Sequence, residues 1–197
     1  MPATPFRPFT SRFVALPREN IDSDQIIPER FRTTTESAAL GRHAFHDWRY
    51  LADGASDPAF PLHAPGAVGA RILVAGRNFG CGSPREHAVW ALQGAGFDVV
   101  VSSQFADTFR GNALANRLLP IEVSARMLAR LTDVATSSYM ASLAIDLESQ
   151  TVQLPDGDVV TFPIAPFAKH CLLEGIGEMD YQLGATGEIK AFSDARP

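Results

Sequence analysis

Cysteine is scarce in this chain. Its 197 residues include two, Cys81 and Cys171, far apart in the sequence. Two thiols cannot by themselves make a structural zinc site or hold an iron–sulfur cluster. In a reducing compartment they would not pair as a disulfide. Positive charge is not in excess: 17 Lys and Arg stand against 22 Asp and Glu, for a net charge of −5. That balance leaves no electrostatic footprint for a nucleic acid. No run is long and apolar enough to span a bilayer. Residues 1–12 hold no apolar core followed by a small-residue cleavage site, so no signal peptide and a cytoplasmic protein are expected. Internal repeats and low-complexity segments are also missing. Two familiar phosphate motifs are incomplete. Gly80 and Gly82 lack the third glycine of a dinucleotide fingerprint, with Arg85 in its place, and no Gly-Lys-Ser/Thr ending makes a P-loop.

What is present suits one domain. A hydrophobic content of 46% supplies a sizeable core. The expected layout is a single domain over 1–197, with an irregular region at 32–70 and a loosely ordered tail at 185–197. Ile72 Leu73 Val74 Ala75 and Phe97 Asp98 Val99 Val100 Val101 read as buried strands with a helix between them. That order implies a parallel, right-handed crossover. Phe13 Val14 Ala15 Leu16 and Leu118 Leu119 Pro120 Ile121 Glu122 Val123 read as two more strands. A short helix is expected from Phe105 to Phe109, ended by Gly111 and Asn112. Ser124 is expected to cap a helix whose Met127, Leu128 and Leu131 face inward. From Leu143 the pattern alternates in strand fashion, with Pro155 Asp156 Gly157 as a turn. A last helix spans 165–174, followed by Gly175. The fold class is therefore α/β, with a mostly parallel core sheet and an appended antiparallel hairpin section.

Residues 71–93 concentrate the chemistry. A strand runs into Asn78 Phe79 Gly80 Cys81 Gly82, and Ser83 Pro84 Arg85 Glu86 opens a helix. Ser83 and Glu86 have the spacing of a capping box, with Pro84 at the first helical position. Ser83 has two readings. It is a helix cap, or it is a hydroxyl whose alkoxide is favoured by the helix dipole and by Arg85. Arg85 is a cation at the positive end of a helix, which an anion would explain. Gly82 leaves bare backbone for a ligand's close approach. His87 reads equally as a general acid/base or as a local hydrogen-bonding group. Cys81 has no His–Asn partners in evidence and reads as a packed small residue. Asp22 and Asp24 lack the rest of a calcium loop and read as turn residues bonded to nearby N–H groups. His43 and His46 lack further ligands at metal-site spacing. The residues alone support an anion site built on Ser83 and Arg85.

The stretch from Asn78 to Ala88 resembles the signature of the aconitase swivel-domain family, and most closely its 3-isopropylmalate dehydratase small-subunit branch. Further motifs fit in order: 20–28, 45–49 ending Asp47 Trp48 Arg49, 103–109, Asn112, Leu118 Leu119 Pro120, and His170 Cys171. The resemblance implies a swivelling β/β/α domain and a reaction that removes water from 2-isopropylmalate and returns it at the neighbouring carbon. It implies a partner, a large subunit carrying a [4Fe-4S] cluster, with no cofactor or metal bound by this chain. Ser83 is implied as the base that takes the carbon-bound proton. Arg85 is implied to hold a carboxylate of the small dicarboxylate substrate, with Asp24 and Gly82 in the same site. One position departs: Pro84 stands where the family usually has a second serine, removing a hydroxyl and a backbone N–H. The alternatives are a relative acting on another substituted malate and a non-catalytic dicarboxylate-binding module.

Overall fold

A computed structural model describes residues 4–32, 36–83 and 85–177. The expected tail at 185–197 and Pro84 lie outside the described residues. Among the described residues, seven strands form one sheet in the order β4-β3-β2-β1-β5-β6-β7. They are β1 (Phe9–Leu16), β2 (Ile72–Ala75), β3 (Val99–Ser102), β4 (Leu119–Glu122), β5 (Ser142–Asp146), β6 (Thr151–Gln153) and β7 (Val159–Thr161). Strands β1 to β4 pair in parallel, and β5 to β7 run antiparallel.

β1 joins the two halves. Its second half pairs with β2, Phe13 opposite Ile72, and its first half pairs with β5, Phe9 opposite Ile145. The antiparallel section is thus continuous with the core sheet. The sequence predicts only 13–16 as strand. Phe9 Thr10 Ser11 Arg12 carries no apolar run, and pairing with β5 is what extends it.

β2 and β3 are buried on both faces, as parallel strands covered on both sides must be. Their side chains alternate between two cores. Leu73, Ala75 and Val100 join Val14, Leu16, Phe45, Phe79 and Leu92 on one side. Ile72, Val74, Val99 and Val101 join Leu119, Ile121, Leu131 and Leu143 on the other. The helices are α1 (Ser23–Ile26), α2 (Ser37–Gly41), α3 (His46–Arg49), α4 (Glu86–Gly94), α5 (Asp107–Ala115), α6 (Ala125–Ser137) and α7 (Pro166–Glu174). α4 and α5 contribute to the first core. α6 and α7 contribute to the second, through Leu131 and Leu172.

Within 32–70 lie α2, α3 and two single 3-10 turns at Pro61–His63 and Pro65–Ala67. Leu40, Ala44 and Phe45, all fully buried, anchor them. Two expectations are corrected. α5 runs through Gly111 and Asn112 to Ala115. Burial of Phe109 and Ala113 on one face outweighs the roughly 1 kcal/mol that an exposed glycine costs a helix. α4 begins at Glu86 with Arg85 at its N-cap and no side-chain cap, so Ser83 and Glu86 form no capping box.

Candidate active site

In α/β sheets, ligands gather beyond the carboxyl ends of the parallel strands. Here that edge is built by the connections after β1, β2 and β3. Residues 20–23 and 77–83 continue side by side past the sheet. Asn20 N–H donates to Arg77 O (2.8 Å), Gly80 N–H to Ile21 O (2.8 Å) and Ser23 N–H to Cys81 O (2.9 Å). Asn20 and Asn78 both adopt left-handed backbone, at φ 54° and 59°. The Asn78 amide donates to the Asn20 side chain at 2.9 Å. Asparagine tolerates this region better than most residues, which accounts for both positions.

The connection after β3 locks the turn from the other side. Phe79 N–H donates to Gln104 O (3.0 Å), and Ala106 N–H donates to Phe79 O (3.0 Å). The Phe79 ring, fully buried, meets Phe109 edge-on at 5.0 Å between centroids. Phe79→Ala is expected to lower unfolding free energy by about 3–5 kcal/mol in urea titrations, from lost burial and a residual cavity.

Two glycines in this turn are required by geometry. Gly80 has φ +75°, and a Cβ there would lie 2.2 Å from Cγ of Phe109. Gly82 has φ +85°, and a Cβ there would lie 2.1 Å from Oδ2 of Asp22. Asp22 is itself fixed as the N-cap of α1. Its carboxylate accepts from Asp24 N–H at 2.7 Å, and Gln25 Oε1 accepts from Asp22 N–H at 3.0 Å. This satisfies the turn reading for Asp22, with a capping box in addition; the Asp24 carboxylate instead pairs with Arg32.

Ser83 and Arg85 are exposed at this edge, with Gly82 beside them. The Ser23 hydroxyl donates to the Ser83 carbonyl at 2.7 Å. Asp24 joins the group through an ion pair with Arg32. The Arg32 guanidinium is largely buried, and its Nε and Nη2 donate to Ile27 O at 3.2 and 3.1 Å. Burial holds its pKa below the usual arginine value, the charge of Arg85 pushes the same way, and Asp22 opposes. Arg32 therefore feels the charges of Arg85 and Asp22 while it pairs with Asp24. Arg85 and Asp24 are expected at this site from the sequence; Arg32 is not. Its signal is the ion pair with Asp24, which local spacing does not reveal.

Burial, then the carboxylate of Asp22, pushes the Cys81 thiol up, so it stays protonated and a poor nucleophile. His87 lies against Trp90, ring centroids 4.8 Å apart. His43 stacks on Phe31 at 3.9 Å, and His46 packs on the same ring at 4.5 Å. Arg30 pairs with Asp47 beside them. Among the described residues, no three His, Cys, Asp or Glu side chains gather as metal ligands. Cys81 sits in the turn after β2, while Cys171 is buried on α7. The residues present do not fit an iron–sulfur cluster. None of the helices among the described residues is long and apolar enough to cross a membrane.

The parallel core, the antiparallel extension and the gripped turn at its edge define the aconitase C-terminal domain class. That family's model matches residues 9–126, and a second, LeuD_N, matches 129–166. A 3-isopropylmalate dehydratase small subunit from Anaeromyxobacter sp. (strain K) is 50% identical over 192 residues, covering 98% of each chain. One from Roseiflexus castenholzii is 49% identical, covering 98% of this chain and 95% of that one. The crystal structure of a 3-isopropylmalate dehydratase from Methanocaldococcus jannaschii matches with a TM-score of 0.67 at 25% identity. It covers 94% of this chain and 99% of that one. The chain belongs to the family of 3-isopropylmalate dehydratase small subunits.

Proposed function

We propose that this chain is the acid–base and anion-binding half of a hydro-lyase that isomerises 2-isopropylmalate to 3-isopropylmalate in leucine biosynthesis. It works in the cytoplasm, completed by a large subunit. The observation that carries this reading is that Ser83 and Arg85 are both exposed, two residues apart at one edge of the sheet, with the Ser83 backbone held by Ser23. The identity to relatives of that name, near 50% over 98% of the chain, supports it.

Ser83 Oγ takes the proton from the carbon next to the hydroxyl-bearing one, and that C–H pair becomes the new carbon–carbon double bond as hydroxide departs. The Ser83 hydroxyl then returns a proton to carbon when water adds back with the opposite regiochemistry. Arg85 binds a substrate carboxylate through paired N–H donors, and its charge favours the alkoxide form of Ser83. Asp24, held by Arg32, and Gly82, with no side chain to obstruct approach, complete this chain's share of the substrate site. The cluster expected on the large subunit would supply Lewis-acid polarisation of the departing hydroxyl. Docking of that subunit also excludes water from the turn, which strengthens each of these interactions.

Arg85→Lys tests the carboxylate role. In the reconstituted pair it is expected to raise KM roughly 10- to 100-fold through loss of a bidentate charge-assisted contact, with a smaller effect on kcat. An unchanged KM would contradict the assignment. Pro84 favours a second reading, a related malate as substrate, because one hydroxyl and one N–H usual in the family are missing. A panel of substituted malates in the same assay separates the two by kcat/KM. Tight dicarboxylate binding by the lone chain, with no turnover in the pair, would point to a binding module instead.

A further inference from the structure

Ser23 is one of the few buried polar side chains among the described residues, at 2% exposure. It makes two hydrogen bonds to one short stretch. Its N–H donates to the carbonyl of Cys81 at 2.9 Å, and its hydroxyl donates to the carbonyl of Ser83 at 2.7 Å. The Asp22 carboxylate lies 3.5 Å from the same hydroxyl, too far to compete for its single proton. One residue thus holds the carbonyls on both sides of Gly82. In a planar trans peptide the carbonyl and the following N–H point in opposite directions. Holding Cys81 C=O toward Ser23 therefore turns the Gly82 N–H away from it.

A second observation gives this clamp a consequence. Ser83, Pro84 and Glu86 have every local feature of a helix start, and an unconstrained Ser83 would spend its hydroxyl on the N–H of residue 86. Instead α4 starts at Glu86, with Arg85 at the N-cap and no side-chain cap. The bond from Ser23 to the Ser83 carbonyl keeps residue 83 out of the cap position. Its Oγ is left exposed at the turn rather than bonded to the helix.

We propose that Ser23 is a positioning residue for the reaction: its hydroxyl withholds Ser83 from capping α4 and so keeps the base available to substrate. The proposal rests on Ser83 being the base. Ser23 does not touch substrate and acts through the backbone of residues 81–83.

The test compares Ser23→Thr with Ser23→Val in the reconstituted two-subunit enzyme. These side chains have nearly the same shape, and only threonine keeps the hydroxyl. The valine variant is expected to lose about 10- to 100-fold in kcat with KM within about twofold, as for a misplaced catalytic group. Threonine is expected to restore most of the activity. Hydrogen exchange of the Glu86 amide should slow in the valine variant, because Ser83 Oγ now caps it. Ser23→Ala adds no volume and should show the same kcat loss, covering the case in which the branched side chains do not fit. Equal kcat for threonine and valine, or wild-type kcat for alanine, overturns the proposal. Full activity of Ser83→Ala would instead overturn the base assignment itself, whatever Ser23 does.

Discussion

Ser83→Ala leaves the chain folded and able to bind its large subunit, and lowers kcat by about a hundred- to ten-thousand-fold. The residue is exposed, and its hydroxyl supplies no cap to α4. Its removal therefore takes nothing from the core. The contact that does order this position uses the Ser83 backbone carbonyl, which alanine keeps. The loss should fall on kcat because proton abstraction from carbon happens only on the way to the transition state. Unfolding curves matching wild type, together with matching association, would assign the loss to chemistry. Normal turnover by the alanine variant would remove Ser83 from the mechanism.

Gly82→Ala is the second large effect, and it acts by geometry. The backbone there sits at φ +85°, and the new methyl would lie 2.1 Å from Oδ2 of Asp22. Left-handed backbone costs a non-glycine residue about 1–2 kcal/mol. Relief of the clash moves either the turn or Asp22, and Asp22 is the cap of α1. Stability should fall by about 1–3 kcal/mol in urea. Activity should fall by about 100-fold or more, because Ser83 is carried by the displaced turn. The two residues are in contact, so their effects should not add. Asp22→Ala placed on Gly82→Ala should recover part of the lost stability. Strict additivity of the two substitutions would show that the contact is not what glycine is there to permit.

Much of the frame was legible in the residues. The apolar runs of β2, β3 and β4 leave few alternatives to buried parallel strands. Ser124 does cap α6, accepting from Met127 N–H at 3.2 Å. Gly175 does end α7 with left-handed backbone at φ 68°. Pro155 Asp156 Gly157 does turn β6 into β7, with Gly157 N–H donating to Leu154 O at 3.0 Å. These features are local, and local chemistry decides them.

What escaped the sequence depends on distant partners. The first half of β1 is a strand because β5 lies beside it. α5 continues through Gly111 because Phe109 and Ala113 are buried. The capping box at Ser83 is a sound local reading that a residue sixty positions upstream overrides. The pairing of Asp24 with Arg32 is not legible either, since nothing in the spacing of the two predicts a buried guanidinium between Ile27 and Asp24. Ser83, Arg85, Gly82 and Asp24 do share one edge of the sheet. The residues that set their geometry, Asp22, Ser23 and Arg32, come from the connection after β1 rather than from the turn itself.

On the proposed function, this chain carries half of a catalytic centre and the large subunit carries the rest. Titrating the purified chain into a fixed amount of cluster-loaded large subunit, while 3-isopropylmalate formation from 2-isopropylmalate is followed, puts that division to the test. Neither protein alone should turn over substrate, and activity should climb to a plateau as the pair forms. Turnover by this chain alone, or a fully formed pair that stays inactive on the malate, would contradict it.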